Sequence, residues 1–387
     1  MAETLKVYYK DKVQRLAAAL DMVRCYSDTI ALTDKLERSK ITWLAARPTS
    51  HLGRCFPPTA CPSDYLALAC DGSHIDSDRH SPARCYLINI GSVVLRYGEN
   101  PDAIMHSQPL LYANEDDLTI TDPEGSTEQP VQGNILGIKR SISESLALVN
   151  MATEHATQLP TIALLDGSLI LWGLTGKQYP DYVKLTMLQN GLLPVLDRFK
   201  EISNNSELVI ASYISTPQST EVVNLLRLVL CPHDSPNCDL HCPRNDGLSY
   251  RACQVLSGIR DRDIFSAILN PGERSATFIS RSSIVLDSYE EHQICFFYLQ
   301  TEEEVARVEF PVWIEERGRT DLLHSLILDQ CRRGHSYPIA LSESHEQAVV
   351  STVDREQFRQ LVETTLEEQN VVVTTSSKSK SKRTRWI

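Results

Sequence analysis

The tripeptide Asp-Gly-Ser occurs twice in the sequence, at residues 71–73 and 166–168, each time after a short apolar run. Apolar runs of this length, bounded by turn residues, are typical of buried strands, so Asp71 and Asp166 are predicted to lie at strand ends. An ionised carboxylate at the edge of a sheet is costly unless a cation neutralises it. Two such aspartates from distant segments predict a divalent-metal site, although Asp-Gly is also a common turn dipeptide.

Glu144 and His345 are the further side chains that could serve such a site. Glu144 lies in a segment with helical periodicity before the second tripeptide, and Arg140 is one turn away. His345 follows a proline and an apolar run near a predicted helix start, where an imidazole can bind metal or move a proton. Glutamates and histidines are also common on helix surfaces. Mg²⁺ and Mn²⁺ prefer hard oxygen ligands, so carboxylates are what such a metal needs.

The composition indicates a folded chain with a substantial core, since 42% of its 387 residues are hydrophobic. No window reaches the roughly 18 apolar residues of a membrane span, and no signal pattern opens the sequence. We therefore expect a cytoplasmic protein with reduced cysteines and no membrane partner. The net charge of −12 disfavours nucleic acid at first sight. However, residues 376–387 carry five basic side chains and no acidic one, which predicts either a phosphate- or partner-binding tail or a solvated terminus.

Strands and long helices alternate along the chain, which predicts an α/β layer architecture. Gly91 and Ser92 interrupt the β-rich residues 85–97, which predicts two strands or one bulged strand. Residues 115–132 are polar and carry a turn signal, so an exposed loop is expected. Residues 275–312 are again rich in strand-forming residues. Helical periodicity is found at residues 1–30, 138–157, 181–202, 219–230, 321–331, 342–350 and 354–368.

Four of the eleven cysteines fall within residues 231–253, namely Cys231, Cys238, Cys242 and Cys253. Four soft ligands in a reducing compartment could hold Zn²⁺ or an iron–sulfur cluster and stabilise a loop with little apolar material. Their spacing matches neither a Cys-x-x-Cys pair nor a common ferredoxin pattern. A structural metal site and four reduced thiols therefore remain alternatives.

The order of these features resembles the NurA nuclease family. The matching features are a strand ending in Asp-Gly-Ser, a β-hairpin, a helix with Glu, a second strand ending in Asp-Gly-Ser, and a late Pro-x-x-Leu-x-x-x-His segment. The most specific piece is Leu-Leu-Asp-Gly-Ser-Leu at residues 164–169. The resemblance implies an α/β, RNase H-like fold with a mixed central sheet flanked by helices, here with an N-terminal helical arm and a β-rich insertion. The β-rich and cysteine-containing segments depart from the family's archaeal pattern.

The resemblance also implies a function. It implies a Mn²⁺-dependent (or Mg²⁺-dependent) deoxyribonuclease that degrades DNA ends with 5′ to 3′ polarity and cuts single-stranded DNA. It further implies a homodimer that works with a HerA-type hexameric ATPase in double-strand-break processing. Carried over by position, the metal-binding acids are Asp71, Glu144 and Asp166, the late histidine of the site is His345, and Tyr213 takes the place of a site-facing tyrosine or lysine.

The predicted organisation has three parts: an N-terminal helical arm and loop (1–62), the nuclease domain (63–352, with the cysteine insertion at 231–253), and a C-terminal helix with the basic tail (353–387). No Gly-x-x-x-x-Gly-Lys-Ser/Thr loop occurs, so ATP hydrolysis would come from a partner. The alternative function is a non-catalytic RNase H-like adaptor that docks a DNA motor ATPase through the cysteine cluster and the tail. Acids kept at strand ends favour the enzyme, because an inert scaffold gains nothing from them.

Overall fold

The computed structural model describes residues 2–26, 28–76, 84–125, 127–155, 158–242 and 251–369, with side chains from residue 10 onward. The basic tail predicted at residues 376–387 lies outside the described residues. Within the described ranges, no helix is long and apolar enough to cross a membrane.

Helices and strands alternate along the described chain, which confirms the predicted mixed α/β class. The strands are β1 (Arg47–Pro48), β2 (Cys55–Phe56), β3 (Tyr65–Ile75), β4 (Tyr86–Tyr97), β5 (Asp102–Tyr112), β6 (Thr119–Thr121), β7 (Glu128–Pro130), β8 (Thr161–Asp166), β9 (Leu208–Ile214), β10 (Arg274–Ser275), β11 (Phe278–Ile279), β12 (Ile294–Gln300) and β13 (Val305–Pro311). The helices are α1 (Ala2–Cys25), α2 (Thr29–Glu37), α3 (Glu115–Leu118), α4 (Asn134–His155), α5 (Asp181–Lys184), α6 (Leu193–Asn205), α7 (Glu221–Leu230), α8 (Cys238–His241), α9 (Asp261–Ile268), α10 (Ser283–Ser288), α11 (Val312–Glu316), α12 (Thr320–Arg333), α13 (Ile339–Ala348) and α14 (Thr352–Glu368). A π-helical stretch, Leu185–Leu192, joins α5 to α6, and 3₁₀ turns lie at Trp172–Leu174 and Ala252–Leu256.

The chain forms two compact units, each assembled from three segments. Unit 1 comprises the chain up to Ser63 together with Ile162–Ile170 and Glu207–Ile339. Unit 2 comprises Asp64–Thr161, Leu171–Ser206 and the chain from Ala340 onward. The domain boundaries expected at 62/63 and 352/353 stay predictions. Of the predicted site residues, unit 2 contains Asp71, Glu144 and His345, and unit 1 contains Asp166, Tyr213, Cys231, Cys238, Cys242 and Cys253.

Unit 1 contains a sheet with the strand order β1-β11-β12-β13-β9-β8. β13 pairs antiparallel with both β12 and β9, and it is buried along its whole length. The β-rich residues 275–312 therefore supply central strands of this sheet. The N-terminal helices α1 and α2 share an apolar core with α7 and α9, in which Val23, Leu225 and Phe265 are buried.

Unit 2 contains the antiparallel strands β3, β4 and β5 in that order. The break or bulge expected at Gly91 is absent, because β4 is one strand whose pairing with β3 runs without interruption through Gly91. Helix α4 buries Leu148 and Val149. β5 was not predicted from the sequence, because its side chains are exposed on both faces and give no alternating pattern.

Residues 115–132 form local structure where an exposed loop was expected. The short helix α3 is followed by β6 and β7, which pair antiparallel as a hairpin. Leu118, Ile120 and Val131 are buried. These three apolar side chains anchor an otherwise polar segment, and the polar composition of the segment gave no sign of them.

Candidate functional site

Asp71 lies inside β3 and faces the same side of the sheet as Gly91. The two residues are directly opposed in the antiparallel register, and opposed residues point to one face. Asp71 Oδ1 accepts the backbone N–H of Gly72 at 2.8 Å. The Asp71 side chain is 16% exposed, so its carboxylate is partly open to solvent. The predicted strand end is displaced, because β3 continues to Ile75.

His345 of α13 contacts Asp71 directly, with His345 Nδ1 lying 2.7 Å from Asp71 Oδ2. A carboxylate accepts hydrogen bonds, so Nδ1 is the donor in this pair and Nε2 is the ring nitrogen that remains for other groups. The imidazole is 62% exposed, which leaves Nε2 able to meet a solvent or substrate group. Asp71 and His345 are thus brought together by the structure.

The absence of a side chain at Gly91 allows α13 to approach the sheet at this point. A Cβ at Gly91 would overlap the Ser344 carbonyl oxygen and crowd the backbone nitrogen of Ala348. These are backbone atoms of α13, and they cannot move without moving the helix. Glycine at position 91 is therefore required for the observed distance between helix and strand.

Asn89 and Ser73 hold the C-terminal end of α13. Asn89 Nδ2 donates to the Ala348 carbonyl at 3.0 Å, and Ser73 Oγ donates to the same oxygen. The last carbonyls of a helix have no partner within the helix, so these side chains supply what the backbone lacks. Ser73 of the first tripeptide thereby helps to place His345 against Asp71.

Glu144 reaches β3 from the opposite face, against Gly72. Successive strand residues point to opposite faces, so Gly72 faces away from His345. A Cβ at Gly72 would come within 2.5 Å of Glu144 Oε1, so glycine is what admits this carboxylate. Glu144 is 5% exposed, and its Oε1 lies 3.0 Å from Arg140 Nε. The carboxylates of Asp71, a residue of β3, and of Glu144, a residue of α4, therefore lie on opposite faces of β3.

His74 is a titratable residue near Arg140 that sequence reasoning did not identify. It lies two residues after Gly72 and so shares the strand face that Glu144 approaches. Its Nδ1 is buried and makes no hydrogen bond to any described residue. Burial lowers the pKa of His74, and Arg140 lowers it further, so the ring is neutral at neutral pH. His74 lies two residues after the glycine of the first Asp-Gly-Ser, and this spacing, which places both residues on one strand face, is the sequence signal that could have identified it.

Asp166 is the last residue of β8 and is exposed, as predicted for a strand end. Gly167 has a φ of +90°, a conformation that favours glycine, and its N–H donates to the Tyr213 carbonyl at 3.0 Å. Ser168 Oγ donates to Glu309 Oε2 at 2.7 Å. The chain thus turns sharply after the carboxylate, and the turn is anchored on both sides.

Glu309 connects this turn to a buried charged network. Its Oε2 also accepts the Leu169 N–H at 3.0 Å, and its Oε1 accepts from Arg307 Nε at 2.8 Å. Arg307 donates to Glu221 at 2.6 Å. Burial alone would lower the pKa of Arg307, but the Glu221 and Glu309 carboxylates raise it, so the guanidinium stays charged. Charged residues alternating within the strand-forming run of β13 were the available signal, since buried charges require partners.

Tyr213 lies near the end of β9 and is fully buried. Its hydroxyl oxygen is 3.0 Å from Glu304 Oε1 and 3.2 Å from the Ser336 carbonyl oxygen. Burial raises the pKa of Tyr213, so the phenol stays protonated. The described contact of Tyr213 with the Asp166 turn is through its backbone carbonyl, and the site-facing role of its side chain stays a prediction.

The cysteines expected to bind metal are free thiols of intermediate exposure, distributed over three neighbouring segments of unit 1. Cys231 directly follows α7, Cys238 and Cys242 lie at α8, and Cys253 lies in the 3₁₀ turn at Ala252–Leu256.

Comparison with known proteins identifies a family match over most of the chain. The model of the NurA domain matches residues 65–350. None of the curated proteins matches the chain. Among solved structures the chain is similar to the crystal structure of LC9-RNase H1, a type 1 RNase H with the type 2 active-site motif. The TM-score is 0.21 at 10% identity, over 44% of this chain and 72% of that chain. A similarity at this TM-score carries no argument about topology or activity.

Proposed function

Because the chain belongs to the NurA family of nucleases, we propose that it hydrolyses DNA as a metal-dependent deoxyribonuclease. The activities proposed are a 5′ to 3′ exonuclease and a single-strand endonuclease acting in the processing of DNA double-strand breaks. Mn²⁺ is the proposed cofactor, and Mg²⁺ is the alternative because it takes the same hard oxygen ligands. A cytoplasmic location also remains a proposal.

The observation that carries this proposal is the 2.7 Å contact between Asp71 and His345. A partly exposed carboxylate orients an exposed imidazole through Nδ1, which leaves Nε2 to exchange a proton with a bound reactant. In our proposal His345 holds a proton at Nε2 during hydrolysis, and the Asp71 carboxylate stabilises the imidazolium that forms. A scaffold without catalytic work would not need this pair.

The residues present fit a hard divalent cation. Each Asp71 oxygen makes one described contact, to Gly72 or to His345, and so keeps a second lone pair for a metal. Asp166 offers an exposed carboxylate on an anchored turn. Once bound, the metal would activate water and neutralise charge on the phosphoryl oxygens.

Glu144 is proposed as the third metal-binding acid. Its carboxylate is directed at β3 and paired with Arg140, so metal binding requires part of that pairing to be exchanged for the cation. Arg140 is one-third exposed and would then be available to contact a phosphate of the substrate.

A homodimer and a HerA-type hexameric ATPase are the proposed protein partners, with DNA ends and single-stranded DNA as substrates. Among the described strands β5 is the outer strand of its sheet, and it exposes Ile104 and Met105. Unpaired backbone groups on a long exposed edge pair readily with another chain, which supports a second copy at β5. Ile104→Lys should therefore shift the mass measured by light scattering from dimer to monomer, while Leu361→Lys on the exposed face of α14 should not.

The decisive experiment is cleavage of end-labelled single- and double-stranded DNA with Mn²⁺, Mg²⁺ or EDTA. We expect metal-dependent cleavage, and the position of the label reports the polarity. Asp71→Asn keeps the side-chain shape and removes its charge, so cleavage should fall by at least about a hundredfold. Asp116→Asn, an exposed acid in the same unit, is the matched control and should retain full activity.

A chain that is folded but inactive with every metal, also in the presence of a HerA-type ATPase, would contradict the nuclease proposal. The adaptor function would then apply, and binding to the ATPase would be the activity to measure.

A further inference from the structure

Cys231, Cys238, Cys242 and Cys253 form a thiol cluster in unit 1 that the proposed nuclease chemistry does not use. All four are free thiols of intermediate exposure. They come from the end of α7, from α8 and the residue after it, and from a 3₁₀ turn. Three backbone segments therefore contribute to the cluster.

Contacts between the segments place the four thiols in one neighbourhood: the 3₁₀ turn that carries Cys253 packs against α7, which ends just before Cys231, and the Cys242 N–H donates to the Cys238 carbonyl at 3.0 Å. Burial raises the pKa of Cys238, and Cys242 and Cys253 raise it further. Burial likewise raises the pKa of Cys253, with Cys242 and Cys231 adding to the effect. Such effects act over short distances. The four thiols therefore lie near one another, in agreement with the contacts between their segments.

The segment that carries the first three cysteines is fixed although it buries little apolar surface. Between residues 231 and 242, Pro236 is the buried residue. Hydrogen bonds to its backbone carbonyls hold the segment: the Lys40 N–H donates to the Pro236 carbonyl at 2.7 Å, and the Arg251 guanidinium donates to the Cys242 carbonyl at 2.9 Å. Metal ligation commonly supplies the stability that such cysteine-rich loops lack.

We propose that the thiol cluster binds a metal centre through four thiolates, either one Zn²⁺ ion or an iron–sulfur cluster, which fixes the segment after α7. Both centres take soft thiolate ligands, unlike the carboxylate site of the nuclease. No three of the four sulfur atoms lie within 4.8 Å of one another. With Zn–S bonds of about 2.3 Å, a Zn²⁺ ion requires the side chains to turn inward, whereas a cluster of several irons spans a wider gap.

The first test is the metal content of the full chain purified without oxygen. Mass spectrometry of the bound metals should find either zinc at about one ion per chain, or iron together with acid-labile sulfide and a broad visible absorption. Each result supports the thiolate centre and identifies it. A chain that carries neither metal in stoichiometric amount overturns the proposal.

Serine variants localise the centre. Cys238→Ser and Cys253→Ser should lose the metal, while Cys55→Ser and Cys61→Ser should keep it, because those thiols are similarly exposed but lie outside the cluster. Retention of the metal in both cluster variants overturns the assignment.

If the cluster variants fail to fold, the native chain still provides a test. Removing its metal with a thiol-binding mercurial should release the zinc or iron and speed tryptic cleavage at Arg251, whereas unchanged digestion contradicts the structural role. None of these readouts needs DNA cleavage, so the nuclease proposal and the thiol-cluster proposal fail independently.

Discussion

Ser168 Oγ donates a 2.7 Å hydrogen bond to Glu309, a carboxylate that is only 1% exposed. This bond connects the turn after Asp166 to a charged network in the interior of unit 1. Glu309 is therefore inferred to be a positioning residue, which fixes the turn and through it the direction of the Asp166 carboxylate.

Glu309→Gln should destabilise the chain and reduce cleavage. The substitution removes one of the two carboxylates that neutralise buried Arg307, and breaking a buried ion pair costs about 3–5 kcal/mol. Urea unfolding measures the loss, with Glu302→Gln on the exposed β12–β13 turn as the control.

The positioning role makes a separate kinetic prediction for Glu309→Gln. At a temperature where the variant remains folded, kcat should fall more than KM rises, because a misdirected Asp166 affects the reaction more than DNA binding. Glu309→Asp keeps the charge and should partly restore kcat. Equal activity of the folded variant and the native chain would show that Glu309 acts on stability alone.

Gly91→Ala should separate His345 from Asp71. The added Cβ meets backbone atoms of α13, so the helix must shift away from β4 and carry the imidazole with it. We expect loss of both thermal stability and cleavage. Gly137→Ala is the matched control, because a Cβ there meets no atom within 4 Å and alanine favours a helix by about 0.5–1 kcal/mol. Normal cleavage in Gly91→Ala would contradict the role of the Asp71–His345 contact.

The two Asp-Gly-Ser tripeptides show what the sequence could predict and what it could not. Strand propensity and turn chemistry are local, so they located Asp166 at a strand end and brought attention to Asp71. That Ser73 caps α13 depends on a residue far along the chain, and no local pattern reports such a contact. Glu309 was missed for the same reason, because its partner Ser168 is distant in sequence.

Local sequence patterns also failed to predict strands where buried and exposed residues do not alternate. β5 is exposed on both faces, and residues 115–132 contain three buried apolar side chains in a polar segment. In both places the hydrophobic pattern that marks a strand is missing, although backbone pairing still forms.

His324 should make the folded chain less stable at acid pH. Its Nε2 lies 2.8 Å from the Gly272 carbonyl oxygen, so the neutral ring donates from Nε2. The pKa of His324 is lowered to about 4, chiefly by burial. The Gly272 hydrogen bond opposes this shift, and the positive charge of nearby Arg274 adds to it. The unfolded chain takes up a proton below pH ~6.5 while the folded chain resists it, so stability is full above that pH and is lost as pH falls toward ~4.

The loss from His324 should approach about 3 kcal/mol, and urea titrations between pH 7 and pH 4 measure it. His324→Gln keeps a donor for the carbonyl without a titrating group, so its stability should fall less steeply with acid. His106→Gln, on exposed β5, should keep the native slope. Identical slopes for native chain and His324→Gln would mean that other groups account for the acid sensitivity.

Glu144→Gln distinguishes a metal ligand from a buried counter-ion of Arg140. A ligand variant binds the cation more weakly, so the Mn²⁺ concentration at half-maximal cleavage should rise by more than about tenfold, with activity recovering at high Mn²⁺. A purely structural role would lower cleavage equally at every Mn²⁺ concentration, since the defect would not involve the cation. Glu154→Gln, an exposed acid on the same helix, should leave the Mn²⁺ requirement unchanged. Glu144 contacts β3 at Gly72, whereas Asp71 contacts His345 on the opposite face of the strand. A raised Mn²⁺ requirement in Glu144→Gln would therefore mean that residues on both faces of β3 contribute to cation binding.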